Sequence, residues 1–356
     1  MTTPAFPPGG LPERIIVEVT TKCNLRCTSC AITLYDFHGQ HLPWAVFERV
    51  LPLLPHAKEV TLFGWGEPLL HPRFLDMFRA VKAYPHLRTY FVTNGMLLDR
   101  VAEVLVREGL TYLGISVDGA TPATFEAIRQ GGRLKKILAN LRLLNDLKRQ
   151  HGSVEPRTRF VFVAMRQNIE ELPLLVDVAA DHEVSEVKVN YLTVYREEDV
   201  GQSLWHHQAL CAEQFEAAAT RAAQRGVLLT LPPLIGQDQG AEGFHKDCHL
   251  PWTELFLGSD GLVRPCMINT ETLGDARTQD LATLWRDAKY QWFREVVNSA
   301  GPPRECATCY QARFSNVNRY EAHVQLGAHV PMTTGLLPPE QITHTGEALR
   351  RAQAGR

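Results

Sequence analysis

No run of 18 apolar residues occurs anywhere in the chain, so no transmembrane helix is expected. Charge of one sign is not in excess either. The 37 Lys and Arg against 39 Asp and Glu give a formal net charge of −2. Such a chain has no long-range positive field, and a general nucleic-acid binder is not expected. The first dozen residues, MTTPAFPPGGLP, lack both a basic start and an apolar core. No secretory signal is expected there, and the expected compartment is the cytosol. Thiols stay reduced in that compartment, so the eight cysteines call for a reason other than disulfides. What is present is ordinary for a globular protein: 356 residues, 45% hydrophobic and 21% charged. A length prior of about 150 residues per domain points to about two domains, although one α/β barrel absorbs most of such a chain.

From 14 to 230 the pattern alternates between strand-like and helix-like runs. RIIVEVT (14–20), KEVTLF (58–63), RTYFVT (88–93), TYLGISV (111–117), RFVFVAM (159–165) and EVKVN (186–190) read as strands. PRFLDMFRAVKAY (72–84) and LKKILANLRLLNDLKRQ (134–150) carry apolar residues three and four apart, as helices do. Alternation of this kind predicts a parallel sheet with crossover helices. Six such units are too few for a closed eight-unit barrel, so the expected class is α/β, a partial (β/α)6 TIM-like barrel. Its functional residues belong at the carboxyl ends of the strands. Near 231 the chain turns Pro/Gly-rich and reads as a boundary. WTELFLGSDGLVRPC (252–266) then reads as a hairpin turning at Ser259-Asp260-Gly261, and one helix is expected over Asp280 to Val297. The expected organisation is a tail at 1–13, the barrel at 14–230, a small α+β auxiliary domain at 231–325 and a C-terminal tail at 326–356.

Cys23, Cys27 and Cys30 stand in a C-x3-C-x2-C pattern directly after the first strand. Three thiolates from one side leave one iron of a [4Fe–4S] cluster without a protein ligand. An open position is what a catalytic metal site needs, whereas structural sites are closed. A zinc knuckle ordinarily closes with four ligands, and no fourth lies close by. The triplet resembles the signature of the radical S-adenosylmethionine superfamily, and the resemblance spans roughly residues 14–230. It implies that the open iron binds the amino and carboxylate groups of S-adenosylmethionine. It further implies reductive cleavage to a 5′-deoxyadenosyl radical that takes a hydrogen atom from substrate. One departure is Ser29, where many members carry an aromatic residue.

Gly64-Trp65-Gly66-Glu67-Pro68 resembles the family's GGEP motif, with Trp65 in place of one glycine. Glycine admits close backbone approach, and the Glu67 carboxylate suits an ammonium group. Ser116-Val117-Asp118-Gly119 is similar to the family's S-x-D-G, whose serine contacts S-adenosylmethionine. The resemblance further implies Arg129 near its carboxylate, Leu192 beside its adenine and Asn94 as a lesser contact.

Cys248, Cys266, Cys306 and Cys309 follow the barrel, with 17, 39 and 2 residues between them. Four thiolates suit tetrahedral zinc or an iron–sulfur cluster, and the spacing alone leaves both open. The hairpin, Leu273-Gly274-Asp275 and the helix carrying Trp285 resemble the SPASM/twitch extension of radical S-adenosylmethionine enzymes. Four cysteines match its shorter, one-cluster form, so two [4Fe–4S] clusters are expected in all. The spacing is similar to that of the twitch-containing dehydrogenase family of butirosin biosynthesis, which oxidises an alcohol. That implies oxidation of a small hydroxylated molecule. The substrate loses a hydrogen atom to the deoxyadenosyl radical, then a proton, and one electron to the auxiliary cluster. Modification of a ribosomal peptide is the alternative, weakened by the lack of a leader-recognition domain before the first strand. A zinc-binding scaffold without catalysis is the other. A flavodoxin or ferredoxin is the expected electron donor.

Cys211 remains. In a helical run it reads as an inert buried thiol, with a hydrogen-atom donor as the alternative. His206, His207 and His249 show no ligand spacing. Glu18, Tyr35, His38, Lys188, Asn190, Tyr191 and Arg196 are substrate-side candidates by position only.

Overall fold

A computed structural model describes residues 10–34, 39–236, 248–307, 309 and 320–326. Tyr35 and His38 lie outside the described residues, as do most of both expected tails. The described residues form twelve strands: β1 (Arg14–Val17), β2 (Arg26–Cys27), β3 (Glu59–Leu62), β4 (Arg88–Thr93), β5 (Tyr112–Ser116), β6 (Arg129–Gln130), β7 (Arg157–Ala164), β8 (Glu186–Tyr191), β9 (Leu228–Thr230), β10 (Glu254–Leu257), β11 (Leu262–Arg264) and β12 (Gly274–Asp275). Ten of them form one sheet in the order β12-β11-β10-β1-β3-β4-β5-β7-β8-β9, and β2 pairs with β6 apart from it. The run from β1 to β8 within that order is parallel throughout. These six strands and their crossover helices make the expected partial barrel.

Strand alternation sets the two faces. On β8, Val187, Val189 and Tyr191 are buried in the helix layer, and Glu186, Lys188 and Asn190 take the other face. On β7, Phe160, Phe162 and Ala164 face the helices, with Arg159, Val161 and Val163 opposite. Side chains of that second face meet across the sheet, as a curled barrel requires. Tyr90 on β4 lies against Arg159 on β7, and the charge of Arg14 on β1 acts on Lys188 on β8.

The expected hairpin forms, and one expected helix divides. β10 pairs in parallel with β1, from Arg14↔Glu254 to Val17↔Leu257, so the auxiliary part extends the barrel sheet at its first strand. The single helix expected over 280–297 is two, Leu281–Leu284 and Ala288–Val296. The cause is Asp287, which has extended backbone and whose carboxylate accepts from the backbone N–H groups of Lys289 and Tyr290. That is an N-cap, and it starts a new helix inside an apolar period. The two helices bury Leu281, Leu284, Trp285, Tyr290 and Phe293.

Glu18 locks the junction. Its carboxylate accepts from the Trp65 N–H at 3.1 Å and from the Ser259 N–H and hydroxyl at 3.1 and 3.0 Å. Burial pushes its pKa up, and these bonds and Arg264 oppose the rise. Replacing it with alanine strands three buried donors. We expect Glu18→Ala to lower the unfolding free energy by roughly 2–4 kcal/mol, measured by anaerobic urea unfolding of the cluster-loaded protein. A loss under about 0.5 kcal/mol, the size of an ordinary surface substitution, would show that the clamp carries no stability.

Candidate active site

The cysteine triplet sits on the loop that leaves β1. Cys27 lies in β2, opposite Arg129 of β6. The Cys30 N–H bonds the Cys27 carbonyl at 3.2 Å, and Cys30 leads into the helix Ala31–Leu34. All three thiols are free and half-buried. They share one site, since Cys27 senses the charge of both Cys23 and Cys30. Burial pushes all three pKa values up, that of Cys27 to about 12 even with Arg129 beside it. Thiols in such a setting become thiolates when a bound metal supplies positive charge. Among the described residues no three His, Cys, Asp or Glu side chains converge closely enough to hold one metal ion.

The Gly64–Pro68 loop fits against this loop. The Glu67 N–H bonds the Lys22 carbonyl at 2.9 Å. A Cβ at Gly66 would sit 2.5 Å from the Thr20 carbonyl oxygen, and one at Gly64 would collide with the Glu18 side chain. Both positions therefore require glycine. Trp65 lies between them and, like Cys23, Cys30 and Tyr195, packs against the buried pair Ala31 and Ile32. Its indole N–H is buried and has no partner among the described residues, which suits a bound acceptor beside the triplet.

Glu67 is nearly fully buried. Its Oε1 accepts from the Leu69 N–H at 3.2 Å and the Thr93 hydroxyl at 2.7 Å, and its Oε2 from the Asn94 N–H at 2.6 Å. Burial pushes its pKa up to about 6 against those bonds. Glu67 thus joins the ends of β3 and β4, and only part of its accepting capacity faces a ligand. Asn94 in turn donates to Asn24 Oδ1 at 2.8 Å, holding the cysteine loop from the third barrel strand.

Asp118 is also built in. Its Oδ1 accepts from the Val163 N–H at 2.8 Å, and its Oδ2 pairs with Arg129 Nε at 2.7 Å. Arg129 is held beside Cys27, its NH1 4.0 Å from the sulfur. Ser116 ends β5. Leu192, Ser29, Met165, Thr193 and Tyr195 line one cleft beside the triplet. The departure at Ser29 and the implied adenine neighbour Leu192 therefore fall in one place.

Sequence reasoning missed Glu171. Its carboxylate accepts from the Ala120 and Thr121 N–H groups and from the hydroxyls of Thr121 and Thr124. It secures the loop after Asp118. A lone glutamate some fifty residues away in sequence gives no motif signal.

In the second set, Cys266 senses Cys309 and Cys306, and burial pushes its pKa up. The Asn269 amide donates to the Cys306 sulfur at 3.4 Å. Cys248 is fastened through its backbone to both ends of the Asn298 amide, at 2.9 and 3.0 Å. Cys211 stands elsewhere. It is buried in the helix layer, 3.7 Å from the Tyr191 hydroxyl, so neither Cys211 nor Tyr191 faces the barrel interior. Arg196 pairs with Glu198 and Asp199, and Glu18 is committed to the clamp. Of the substrate-side candidates within the described residues, only Lys188 and Asn190 remain on the interior face.

Comparison with known proteins agrees with this arrangement. The radical SAM superfamily matches residues 17–178. An iron–sulfur cluster-binding SPASM domain matches residues 248–310, a span that holds the whole second cysteine set. The tungsten-containing aldehyde ferredoxin oxidoreductase cofactor-modifying protein of Pyrococcus furiosus is 23% identical, over 83% of this chain and 86% of that one. The structure of Streptococcus suis SuiB bound to S-adenosylmethionine superposes with a TM-score of 0.63 at 16% identity, over 81% of this chain and 68% of that one. Native anSMEcpe with bound AdoMet gives 0.61 at 15%, over 95% and 97%. The chain thus carries a radical SAM domain followed by a SPASM-type part. It is an enzyme that uses a [4Fe–4S] cluster and S-adenosylmethionine, with further iron–sulfur binding in the SPASM part. Among the described residues no helix is long and apolar enough to cross a membrane.

The Asp118–Arg129 pair yields a test. Asp118→Asn leaves a buried guanidinium uncompensated and should cost about 3–5 kcal/mol, read by anaerobic denaturant unfolding. The double variant Asp118→Asn, Arg129→Met should recover part of that loss. Equal losses in both variants would show that the charge pair is not the cause.

Proposed function

We propose that the enzyme dehydrogenates a small hydroxylated molecule. Cys23, Cys27 and Cys30 hold the catalytic [4Fe–4S] cluster and leave one iron open. Gly64, Trp65, Gly66, Glu67, Asn94, Ser116, Asp118, Arg129 and Leu192 shape the S-adenosylmethionine site around it. Cys248, Cys266, Cys306 and Cys309 fully ligate one auxiliary [4Fe–4S] cluster. When bound, the catalytic cluster and S-adenosylmethionine supply a one-electron reductive cleavage that yields a hydrogen-abstracting radical. The substrate would lose the hydrogen atom on its hydroxyl-bearing carbon and the proton of that hydroxyl, and an auxiliary cluster held by Cys248, Cys266, Cys306 and Cys309 would take the remaining electron, leaving a carbonyl. A flavodoxin or ferredoxin supplies the electron that starts each cycle.

The observation that carries this reading is the Ser259–Glu18–Trp65 linkage. Cys266 follows β11 by two residues. The hairpin that bears it is thus bonded, through one carboxylate, to the loop packed on the cysteine triplet. An electron acceptor rigidly joined to the radical site suits an oxidation. A fully ligated cluster also suits electron transfer better than substrate ligation. The relative from Pyrococcus furiosus is named for modifying a cofactor, which is consistent with a non-peptide substrate.

Replacing Cys23, Cys27 and Cys30 together by alanine should leave about four of about eight irons and abolish 5′-deoxyadenosine formation. A Cys306→Ala, Cys309→Ala double variant with a folded barrel should still form deoxyadenosine while losing the carbonyl product. Full product from that double variant would overturn the electron-acceptor role. A crosslinked or epimerised peptide as the only product of the wild type would overturn the small-molecule reading.

A further inference from the structure

We propose that Lys188 is an anion anchor inside the barrel, and that the substrate carries a carboxylate or phosphate group that pairs with it. The inference rests on the small-molecule reading above and gives that molecule a chemical class. Lys188 lies in the middle of β8, on the face opposite Val187 and Val189, which are buried in the helix layer. It shares a rung with Val161 of β7, which in turn pairs with Ser116 of β5. Lys188 is therefore on the same level of the interior wall as the serine implied in the S-adenosylmethionine site.

No described residue stands within ion-pair or hydrogen-bond distance of its ammonium, and its charged neighbours are already matched. Arg159 pairs with Glu186 at 2.6 Å. The other oxygen of Glu186 accepts from the Thr230 hydroxyl at 2.8 Å. Arg14 pairs with Glu59 and with Glu254, both at 3.1 Å. Burial, then Arg159, and more weakly Arg14, push the Lys188 pKa down, with only Glu186 opposing them. A half-buried cation among matched charges is a standing cost that an incoming anion relieves. A neutral molecule does not relieve it, so the site selects by charge. Lysine presents a compact charge on a flexible stem, which tolerates either oxyanion.

The wall above Lys188 adds length. Asn190 is the next residue on that face, and its side chain makes no hydrogen bond to the described residues. Leu192 follows at the cleft. At roughly 3.3 Å per residue, Asn190 is about 7 Å and Leu192 about 13 Å along the strand from Lys188. The expected substrate is thus a short hydroxylated acid or phosphate ester. Its anionic end lies at Lys188 and its reacting carbon about one rung higher.

The experiment uses the cluster-loaded enzyme with lysines 13C-dimethylated, which keeps their charge, and the probes inorganic phosphate and malonate. The Lys188 resonance is assigned by its absence from Lys188→Met and from Lys188→Arg. In the wild type it should shift saturably with at least one probe. Lys188→Met should bind that probe about tenfold more weakly, the arginine variant within about threefold of wild type, and all three should bind S-adenosylmethionine alike. Calorimetry reads the affinities. No saturable shift in the wild type overturns the proposal even if the methionine variant misfolds. An unchanged anion affinity in Lys188→Met overturns it too. So does an S-adenosylmethionine affinity reduced as far as the anion's, which would assign Lys188 to the cosubstrate. No turnover is involved, so failure here leaves the dehydrogenation standing. Conversely, a saturable shift stands if the product assay fails.

Discussion

The pairing of β10 against β1 is the constraint on which the rest of the arrangement depends. β1 is the first strand of the partial barrel, and it is not an edge, because β3 lies on one side and β10 on the other. An unpaired first strand would expose a row of backbone groups, and a parallel partner satisfies them. The consequence is positional. The loop that leaves β1 carries the cysteine triplet, so the strand that anchors the triplet also anchors the hairpin of the second set. Glu18, one residue past β1, fixes the angle between the two by taking hydrogen bonds from both. The elements that lead into Cys23 and into Cys266 are thereby strands of one continuous sheet.

Carboxylates repeat that device around the site. Glu18, Glu67 and Asp118 are buried and Glu171 is partly so, and each ties together segments distant in sequence. Loops at strand ends have few apolar contacts of their own, and backbone N–H groups there need acceptors. A carboxylate offers up to four lone-pair positions in two atoms, so it ties several chain segments with one side chain. This gives the acidic residues of these motifs a structural task within the protein itself. Much of their capacity is turned inward to shape the loops.

How much was legible in the sequence follows from what each feature depends on. The strand Arg88–Thr93 and the helix Leu134–Gln150 match their expected bounds, because their periods are set by burial on one face, which neighbouring residues already reveal. The break at Asp287 was not anticipated, because an apolar period continues across it and the cap competes locally with that period. The hairpin was legible from its turn, but its partner was not, since pairing with β1 joins residues 240 positions apart. The motif residues were legible as motifs. That Glu67 and Asp118 are mostly engaged with the protein was not, because a motif records residue type and spacing and leaves out which atoms already have partners.

Lys188 shows the same limit from the other side. In sequence it is one charged residue in an alternating strand, indistinguishable from the solvated face of any half-buried sheet. Curling the sheet changes its meaning, because the face that would meet water in an open sheet becomes the wall of a chamber. Glutamates that could have neutralised it are present on that wall, yet each is held by an arginine or a hydroxyl. Curling of the sheet thus turns a routine alternation into a localised, unmatched charge. The strand that supplies it continues through Asn190 to Leu192 at the cleft. On the proposal above, the chemistry would be set by the cysteine loop and selection among molecules by the inner face of β8. The two can therefore vary independently on a common fold.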